Sequence, residues 1–212
     1  MMIPRLKAIA AVAAIAGALF ATPAGAITIV NPSFETPIEG AGGYQYQPTG
    51  AGWTFSAGAG IGGTGSPWFA GNPPDGTQAA FMQATGDWSA TISQDLTGFT
   101  IGDSYSVTFY VAKRPGSAFA DPVQVLLGGT SLGNYLPSTT DFVQETTASL
   151  VATATDMTLT FTDQGTVSGD IDSAIDDISI NESSVLPEPA SILLLGAGLV
   201  GLHSLRRRKA AL

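Results

Sequence analysis

Apolar and polar residues alternate in short runs along the middle of the chain, and turn-forming residues separate these runs. In residues 105–112, for example, Tyr105, Val107 and Phe109 share one phase, and the residues between them are mostly polar. A period of two predicts strands with one buried face. Further runs of this kind occupy residues 27–30, 52–56, 78–83, 88–96, 123–127, 142–151, 157–162 and 174–181. No stretch keeps a helical period, so we predict an all-β domain of nine or ten strands, an antiparallel jelly-roll β-sandwich.

One segment between these runs is dominated by glycine. Residues 57–66 include Gly58, Gly60, Gly62, Gly63 and Gly65, and Pro67 follows directly. This composition is typical of a flexible loop. We therefore expect the segment to be the least ordered part of the domain.

The two ends of the chain differ from the middle. Arg5 and Lys7 precede an apolar run at 8–21, and Ala24-Gly25-Ala26 has the small-x-small form of a cleavage site. This order is typical of a secretory signal peptide, which we expect to be cleaved after Ala26. The alternative is an uncleaved anchor, but the run is short for one.

The C-terminal end has three parts in a fixed order. Pro187-Glu188-Pro189 comes first, an uncharged apolar stretch follows at 190–205, and a basic cluster occupies 206–209. The stretch is just shorter than the ~17–25 residues of a usual membrane-spanning helix. A basic cluster directly after such a helix stays in the cytoplasm, which places the rest of the chain outside the inner membrane.

This tail resembles the PEP-CTERM sorting tail of Gram-negative, exopolysaccharide-producing bacteria. The resemblance implies recognition of Pro187, Glu188 and Pro189 by an exosortase-type transpeptidase and transient insertion of a transmembrane sorting helix in the inner membrane. Removal of the tail would leave the protein at the cell surface or outside the cell. A plain membrane anchor is the alternative. The expected division is a signal peptide at 1–26, one β-sandwich at 27–184 and the sorting tail at 185–212.

Charge restricts the partners of the middle region. It carries 16 of the 17 acidic residues and only two basic ones, Lys113 and Arg114, for a net charge of −14. Such a surface repels nucleic acid and suits divalent cations or neutral polymers. The chain has no Cys, so no disulfide can stabilise an exported domain.

The residue inventory argues against catalysis. His203 is the only His, and it lies in the tail that processing would remove. Ser-His-Asp and Cys-His nucleophiles and His-based zinc sites are therefore excluded from the mature domain, and we expect no enzyme activity. Paired carboxylates that hydrolyse glycosides remain the enzymatic alternative.

An ordered set of segments resembles the galactose-binding-like jelly-roll superfamily, which includes many carbohydrate-binding modules. It begins with Asn31-Pro32-Ser33-Phe34-Glu35 and continues through Gly52-Trp53 and the segments at 74–79, 92–96 and 174–180. The resemblance implies a structural calcium ion held by Glu35 and Asp176, with Asn31 and Asp177 as further candidates.

The phase of the last strand is compatible with this site. Asp176 shares the phase of Ile178 and Ile180, so its carboxylate should point inward and need hydrogen-bond donors or a cation. The alternative is that Asp176 only accepts backbone hydrogen bonds and Glu35 is solvated. We interpret Asp163, Asp170 and Asp172 as loop acids.

Aromatic residues are the candidate ligand contacts. Trp68, Tyr44 and Tyr46 fall in predicted loops, where exposed rings can stack on sugars, whereas Trp53 and Trp88 fit core positions. The hypothesis is a carbohydrate- or exopolysaccharide-binding module. The alternative is a structural matrix or surface protein without a specific glycan. The Lys113-Arg114 pair would bind an anionic sugar or form a structural ion pair.

Overall fold

The computed structural model describes residues 27–56, 58–84, 89–117, 119–165 and 171–183. Within these ranges the chain forms twelve strands and no helix. They are β1 (Tyr44–Tyr46), β2 (Thr54–Ser56), β3 (Ala59–Gly63), β4 (Gln78–Ala84), β5 (Thr91–Thr97), β6 (Ser104–Lys113), β7 (Val123–Leu127), β8 (Thr130–Tyr135), β9 (Val143–Thr146), β10 (Leu150–Val151), β11 (Asp156–Asp163) and β12 (Ile171–Ser183).

The strands form two sheets, and every pairing between described strands is antiparallel. The seven-stranded sheet has the order β1-β3-β4-β12-β6-β10, and β9 also pairs with β6. The five-stranded sheet has the order β2-β5-β11-β7-β8. The predicted all-β sandwich is confirmed, with β12 at the centre of the larger sheet.

The core lies between the inner faces of the two sheets. Alternate residues of β6 are buried, as the period of two predicts, and they meet the inward residues of β11 and β7. Phe109 of β6 contacts Phe161 of β11 edge to face, with ring centroids 5.3 Å apart. Such aromatic pairs add about 0.5–1.5 kcal/mol beyond the burial of their area.

Some strand predictions were wrong in detail. Residues 27–30 form no strand, because the Gln94 side chain takes the place of a partner and bonds both the N–H and the carbonyl of Val30. The run at 142–151 splits into β9 and β10. Strand β8 was missed because only one of its residues, Leu132, is buried and apolar, so no apolar alternation marks it.

The glycine-rich segment is a strand and not a flexible loop. All five residues of β3 are buried, between β1 and β4. A Cβ at Gly60 would lie 2.3 Å from the carbonyl oxygen of Gln45 and 2.5 Å from Cζ of Phe81. Glycine is therefore required here for close packing, and the absence of side chains hid the strand from the apolar pattern.

The targeting segments lie outside the described residues. This holds for the signal peptide at 1–26, for Pro187, Glu188 and Pro189, and for the predicted helix at 190–205. In the part of the chain that the structure describes, no helix has the length and apolarity needed to cross a membrane.

Close packing around β3 gives a stability prediction. Gly60→Ala should lower the free energy of unfolding by about 2–3 kcal/mol, because the new methyl group meets a backbone carbonyl that cannot move alone. Urea denaturation measures the change. Gly71→Ala is the matched control, since its Cβ would meet nothing nearer than 3.4 Å. Equal stability of the two variants would contradict the packing argument.

Candidate functional site

A connection between β3 and β4 covers the outer face of the seven-stranded sheet. Trp68 in this connection is only 4% exposed and stacks on Phe81 of β4, with ring centroids 4.2 Å apart and planes 9° apart. The guanidinium carbon of Arg114 lies 4.5 Å from the centroid of the Trp68 ring. The indole is thus held by a stacked ring and a cation.

The expectation that Trp68 is an exposed loop aromatic was wrong. Its ring sits over Gly62, where a Cβ would approach Cδ1 of Trp68 to 3.2 Å. The absence of a side chain at Gly62, in the strand next to the sheet edge, therefore leaves the space that the indole fills. Trp68 supports the surface and does not present its own face to solvent.

Tyr44 and Tyr46 are the exposed aromatics of this region. They lie on edge strand β1 and not in a loop, with 48% and 38% of their surface exposed. Each ring meets Trp68 edge to face at 5.5 Å, at angles of 84° and 79°. Tyr46 also meets Phe81 at 5.1 Å. Both tyrosine rings are therefore fixed by the buried pair behind them.

Polar groups border the tyrosines. The Tyr46 hydroxyl donates a hydrogen bond of 2.6 Å to Oε1 of Gln83 on β4. Sequence reasoning missed Phe81, Gln83 and the role of Arg114. The available signal was phase, because Phe81 and Gln83 alternate with Ala80 and Met82, which point into the main core. We call Tyr44, Tyr46, Trp68, Phe81 and Gln83 the tyrosine edge.

A second group of side chains surrounds the residues just before β4. Glu35 accepts hydrogen bonds from the N–H groups of Thr77 and Gln78, at 2.8 and 2.7 Å, and from the Thr77 hydroxyl. Ser33 donates to Asp75 at 2.5 Å. Glu35 is thus not simply solvated, since its carboxylate accepts hydrogen bonds from Thr77 and Gln78.

Asp176 lies beneath the same residues. It is fully buried, and Oδ2 accepts a hydrogen bond of 3.1 Å from the N–H group of Asp75. Oδ1 makes no hydrogen bond. Burial raises the pKa of Asp176 to about 8, although the N–H groups of Asp75 and Asp177 act in the opposite direction. Without a cation, this carboxyl group is protonated at neutral pH.

The prediction that Asp176 shares the phase of Ile178 and points into the main core was wrong, although its carboxyl group is buried. The pairing of β12 with β6 shifts between Asp176 and Ser179, and Asp177 adopts φ 49°. This irregularity breaks the common phase of Asp176 and Ile178. Asp176 belongs with Ala174 on the outer face, while Ile175 and Ile178 enter the main core.

The predicted calcium ligands fit a metal only in part. Asp176 offers a buried oxygen without a donor, and Asp75 and Asp177 act on it electrostatically. The side chain of Asn31 is already hydrogen-bonded within the protein. Its amide nitrogen donates to the carbonyls of Thr36 and Ala51, and its oxygen accepts from the Thr36 N–H group. Among the described residues, no three His, Cys, Asp or Glu side chains are placed to share a metal ion.

The interpretation of Asp163 and Asp172 as loop acids was wrong, whereas Asp170 lies outside the described residues. Asp163 and Asp172 are 2% and 0% exposed, and Asp121 is also buried. Burial raises the pKa of Asp163 to about 7, and the charge of Asp121 adds to the effect. The Gly165 N–H group donates to Asp163 at 2.6 Å. Asp163 and Asp176 are therefore two separate carboxyl groups whose pKa values are raised by burial.

Comparison with known proteins places the sandwich in a family. A family model described as HpiC1-like, HpiC1 cyclase, matches residues 25–172, well over half of the chain. The chain belongs to the HpiC1-like family. No motif in the sequence had indicated a cyclase. No curated protein matches the chain by sequence.

Solved structures similar to this HpiC1-like protein include both cyclases and a carbohydrate-binding module. A cyclase from Fischerella sp. TAU, in complex with 4-(1H-indol-3-yl)butan-2-one, is 21% identical with a TM-score of 0.59, over 77% of this chain and 100% of that one. The Stig cyclase FisC from the same organism is 21% identical with a TM-score of 0.57, over 74% and 97%. TmCBM61, in complex with β-1,4-galactotriose, is 16% identical with a TM-score of 0.51, over 72% and 96%. At these identities the similarity establishes the β-sandwich fold alone.

The C-terminal end matches a second family model. A PEP-CTERM protein-sorting motif covers residues 185–209, which confirms the resemblance of the tail. This HpiC1-like protein is therefore exported and processed by an exosortase, and it reaches the cell surface or the extracellular space.

The buried carboxyl group predicts a pH dependence. The pKa of Asp176 is raised in the folded state, so between pH ~4 and pH ~8 the native protein binds a proton that the unfolded chain has lost. The stability contributed by this proton is complete below pH ~4 and is lost as the pH rises toward 8. In metal-free buffer the melting temperature should therefore fall from pH 5 to pH 8, and Asp176→Asn should reduce that fall.

A matched variant separates this effect from general charge repulsion. Asp141→Asn removes the same charge from an exposed carboxyl group and should leave the slope of the wild type almost unchanged. Calorimetry at several pH values gives the slopes. Equal slopes for the wild type and Asp176→Asn would show that Asp176 is ionised in the native state.

Proposed function

We propose that this protein is an exported carbohydrate-binding module that contacts exopolysaccharide or another neutral glycan through the tyrosine edge. The proposed division is a signal peptide at 1–26, the binding sandwich at 27–184 and the sorting tail at 185–212. The observation that carries the proposal is the exposure of Tyr44 and Tyr46 on one short strand. Both rings are held by edge-to-face contacts with buried Trp68.

Fixed aromatic rings suit sugar binding for a physical reason. Their positions are already set, so little side-chain entropy is lost when a ligand stacks on them. Tyrosine also carries a hydroxyl, and the Gln83 amide beside Tyr46 can bond sugar hydroxyls. A neutral polymer avoids repulsion by the acidic surface, which favours it over anionic ligands.

Calcium is the second part of the proposal. Asp176 and Glu35 would supply the carboxylate ligands and backbone carbonyls would supply the rest, without Asp177 as a third carboxylate, whereas Asn31 is bonded within its own turn. The charge of the ion would keep Asp176 ionised in its buried position. Its role would be structural, because these carboxyls fix the residues that enter β4, and β4 carries Phe81 and Gln83.

Two other functions compete with this proposal. A structural matrix protein would share the fold and the export signal but bind no glycan. A cyclase is the other, because the family model is named for one and because Asp176 is a buried carboxyl that keeps its proton. The complete burial of Asp176 favours binding over catalysis, since a substrate would have to displace residues 75–78.

Tyrosine substitution tests glycan binding. Tyr44→Ala and Tyr46→Ala should each weaken binding of β-1,4-galactotriose, or of exopolysaccharide from the bacterium that produces this protein, about tenfold. The reason is that each substitution removes a stacking surface. Calorimetric titration of residues 27–184 measures the affinities. Ile38→Ala, at an 87% exposed position, is the control and should bind like the wild type.

The same titration separates the three functions. Binding that is insensitive to both tyrosine substitutions would move the site elsewhere on the domain. A folded wild-type sample that binds no glycan would favour the structural matrix protein. Binding of 4-(1H-indol-3-yl)butan-2-one without any glycan would favour the cyclase.

Calcium binding is tested with a chelator at a pH above the pKa of Asp176, where a proton no longer neutralises this carboxylate in place of the ion. At pH 8.5, chelator should lower the melting temperature of the wild type by several degrees, because Asp176 is then ionised and buried without a neutralising charge. Asp176→Asn should melt at the same temperature with and without chelator. A wild type that does not respond to chelator would show that the carboxyl needs no metal.

A further inference from the structure

The C-terminal end of the sandwich lies beside two exposed aliphatic residues. Ser183, the last residue of β12, pairs with Ser104 of β6. On the other side of β6, Val151 of β10 also pairs with Ser104. Adjacent strands lie about 4.8 Å apart, so Ser183 and Val151 are separated by about 10 Å.

A rigid turn presents the second aliphatic residue at this end. The Thr100 N–H group donates to the buried Tyr105 hydroxyl at 2.9 Å, and the Gly102 N–H group donates to the carbonyl of Ala152 at 2.9 Å. Ile101 lies between them and is 63% exposed, and Val151 is 52% exposed. We call Ile101, Val151 and Ser183 the exit patch.

The sequence leaves little distance between the exit patch and the sorting motif. Pro187 follows Ser183 by four residues, which span at most about 14 Å when fully extended. The ten residues of β6 span about 33 Å, so the opposite end of the sandwich is out of reach. An enzyme that holds Pro187-Glu188-Pro189 extended must therefore bring its own surface to this end of the domain.

We propose that the exit patch is the surface that the sorting transpeptidase contacts while it processes the tail. The inference rests on the sorting function and is independent of glycan binding. Asp103 and Glu182 lie at the same end, and their charges repel the anionic lipids of a membrane surface. A protein surface with apolar and basic groups is the partner that fits, and two aliphatic side chains are too few to hold the domain on a bilayer.

Charged substitutions test the contact in the full-length chain. Ile101→Asp and Val151→Asp, in cells that contain the enzyme, should each slow conversion of precursor to processed protein about tenfold. Pulse-chase labelling measures the rate. Phe119→Asp is the matched control, because this residue is 59% exposed, follows the far end of β6 and should leave processing unchanged.

A spacer separates contact from general damage. Ten Gly and Ser residues inserted between Ser183 and Ser184 allow the enzyme to act at a distance from the sandwich, so Ile101→Asp should then be processed at the wild-type rate. The proposal would be overturned if Ile101→Asp is still processed slowly when the spacer is present. It would also be overturned if Ile101→Asp is processed at the wild-type rate without the spacer. A wild-type chain that is never processed would overturn the sorting function as well.

Crosslinking identifies the class of partner. The natural chain has no Cys, so Ile101→Cys and Phe119→Cys each accept one thiol-reactive benzophenone label. On isolated membranes, the label at 101 should yield an adduct with the transpeptidase, and the label at 119 should not. Adducts with lipid alone at 101, or equal protein adducts at both positions, would contradict the contact.

Discussion

The buried carboxyl of Asp176 is the constraint on which much of this domain depends. It accepts a hydrogen bond from the N–H group of Asp75, while Ser33 and Glu35 bond other groups of the same short segment. The chain has no Cys and therefore no disulfide. These hydrogen bonds instead connect the N-terminal residues, the segment at 75–78 before and at the start of β4, and the central strand β12. Their strength depends on what neutralises Asp176, a proton or a cation.

The same connection couples the two candidate sites. Residues 64–77 run from the end of β3 to the start of β4, with Trp68 near one end and Asp75 near the other. Trp68 positions Tyr44 and Tyr46, and Asp75 is held by Asp176 and Ser33. A change in the charge of Asp176 would therefore reach the exposed rings through one covalent segment and the start of one strand.

The alternation of apolar and polar residues predicted correctly the strands whose side chains alternate between core and solvent. The bounds of β7 agree with the sequence, and β6 extends by one residue at each end, because their side chains alternate between core and solvent. The burial of Trp68 depends on Gly62 and Phe81, which the sequence brings together only through the fold, so the exposed loop predicted there was wrong. Asp176 and Ile178 face opposite sides of the sheet because of a break in strand pairing that no apolar pattern marks. The resemblance to carbohydrate-binding modules nevertheless implied that Glu35 and Asp176 lie together, and both carboxylates accept hydrogen bonds from the segment at 75–78.

Strand β1 combines two properties that rarely occur together at a sheet edge. It has three residues, so it offers only a few unpaired backbone groups to a neighbouring molecule. Edges of this length are poor templates for edge-to-edge aggregation, even when they carry large aromatic rings. An exported protein can thus expose Tyr44 and Tyr46 without recruiting copies of itself into a growing sheet.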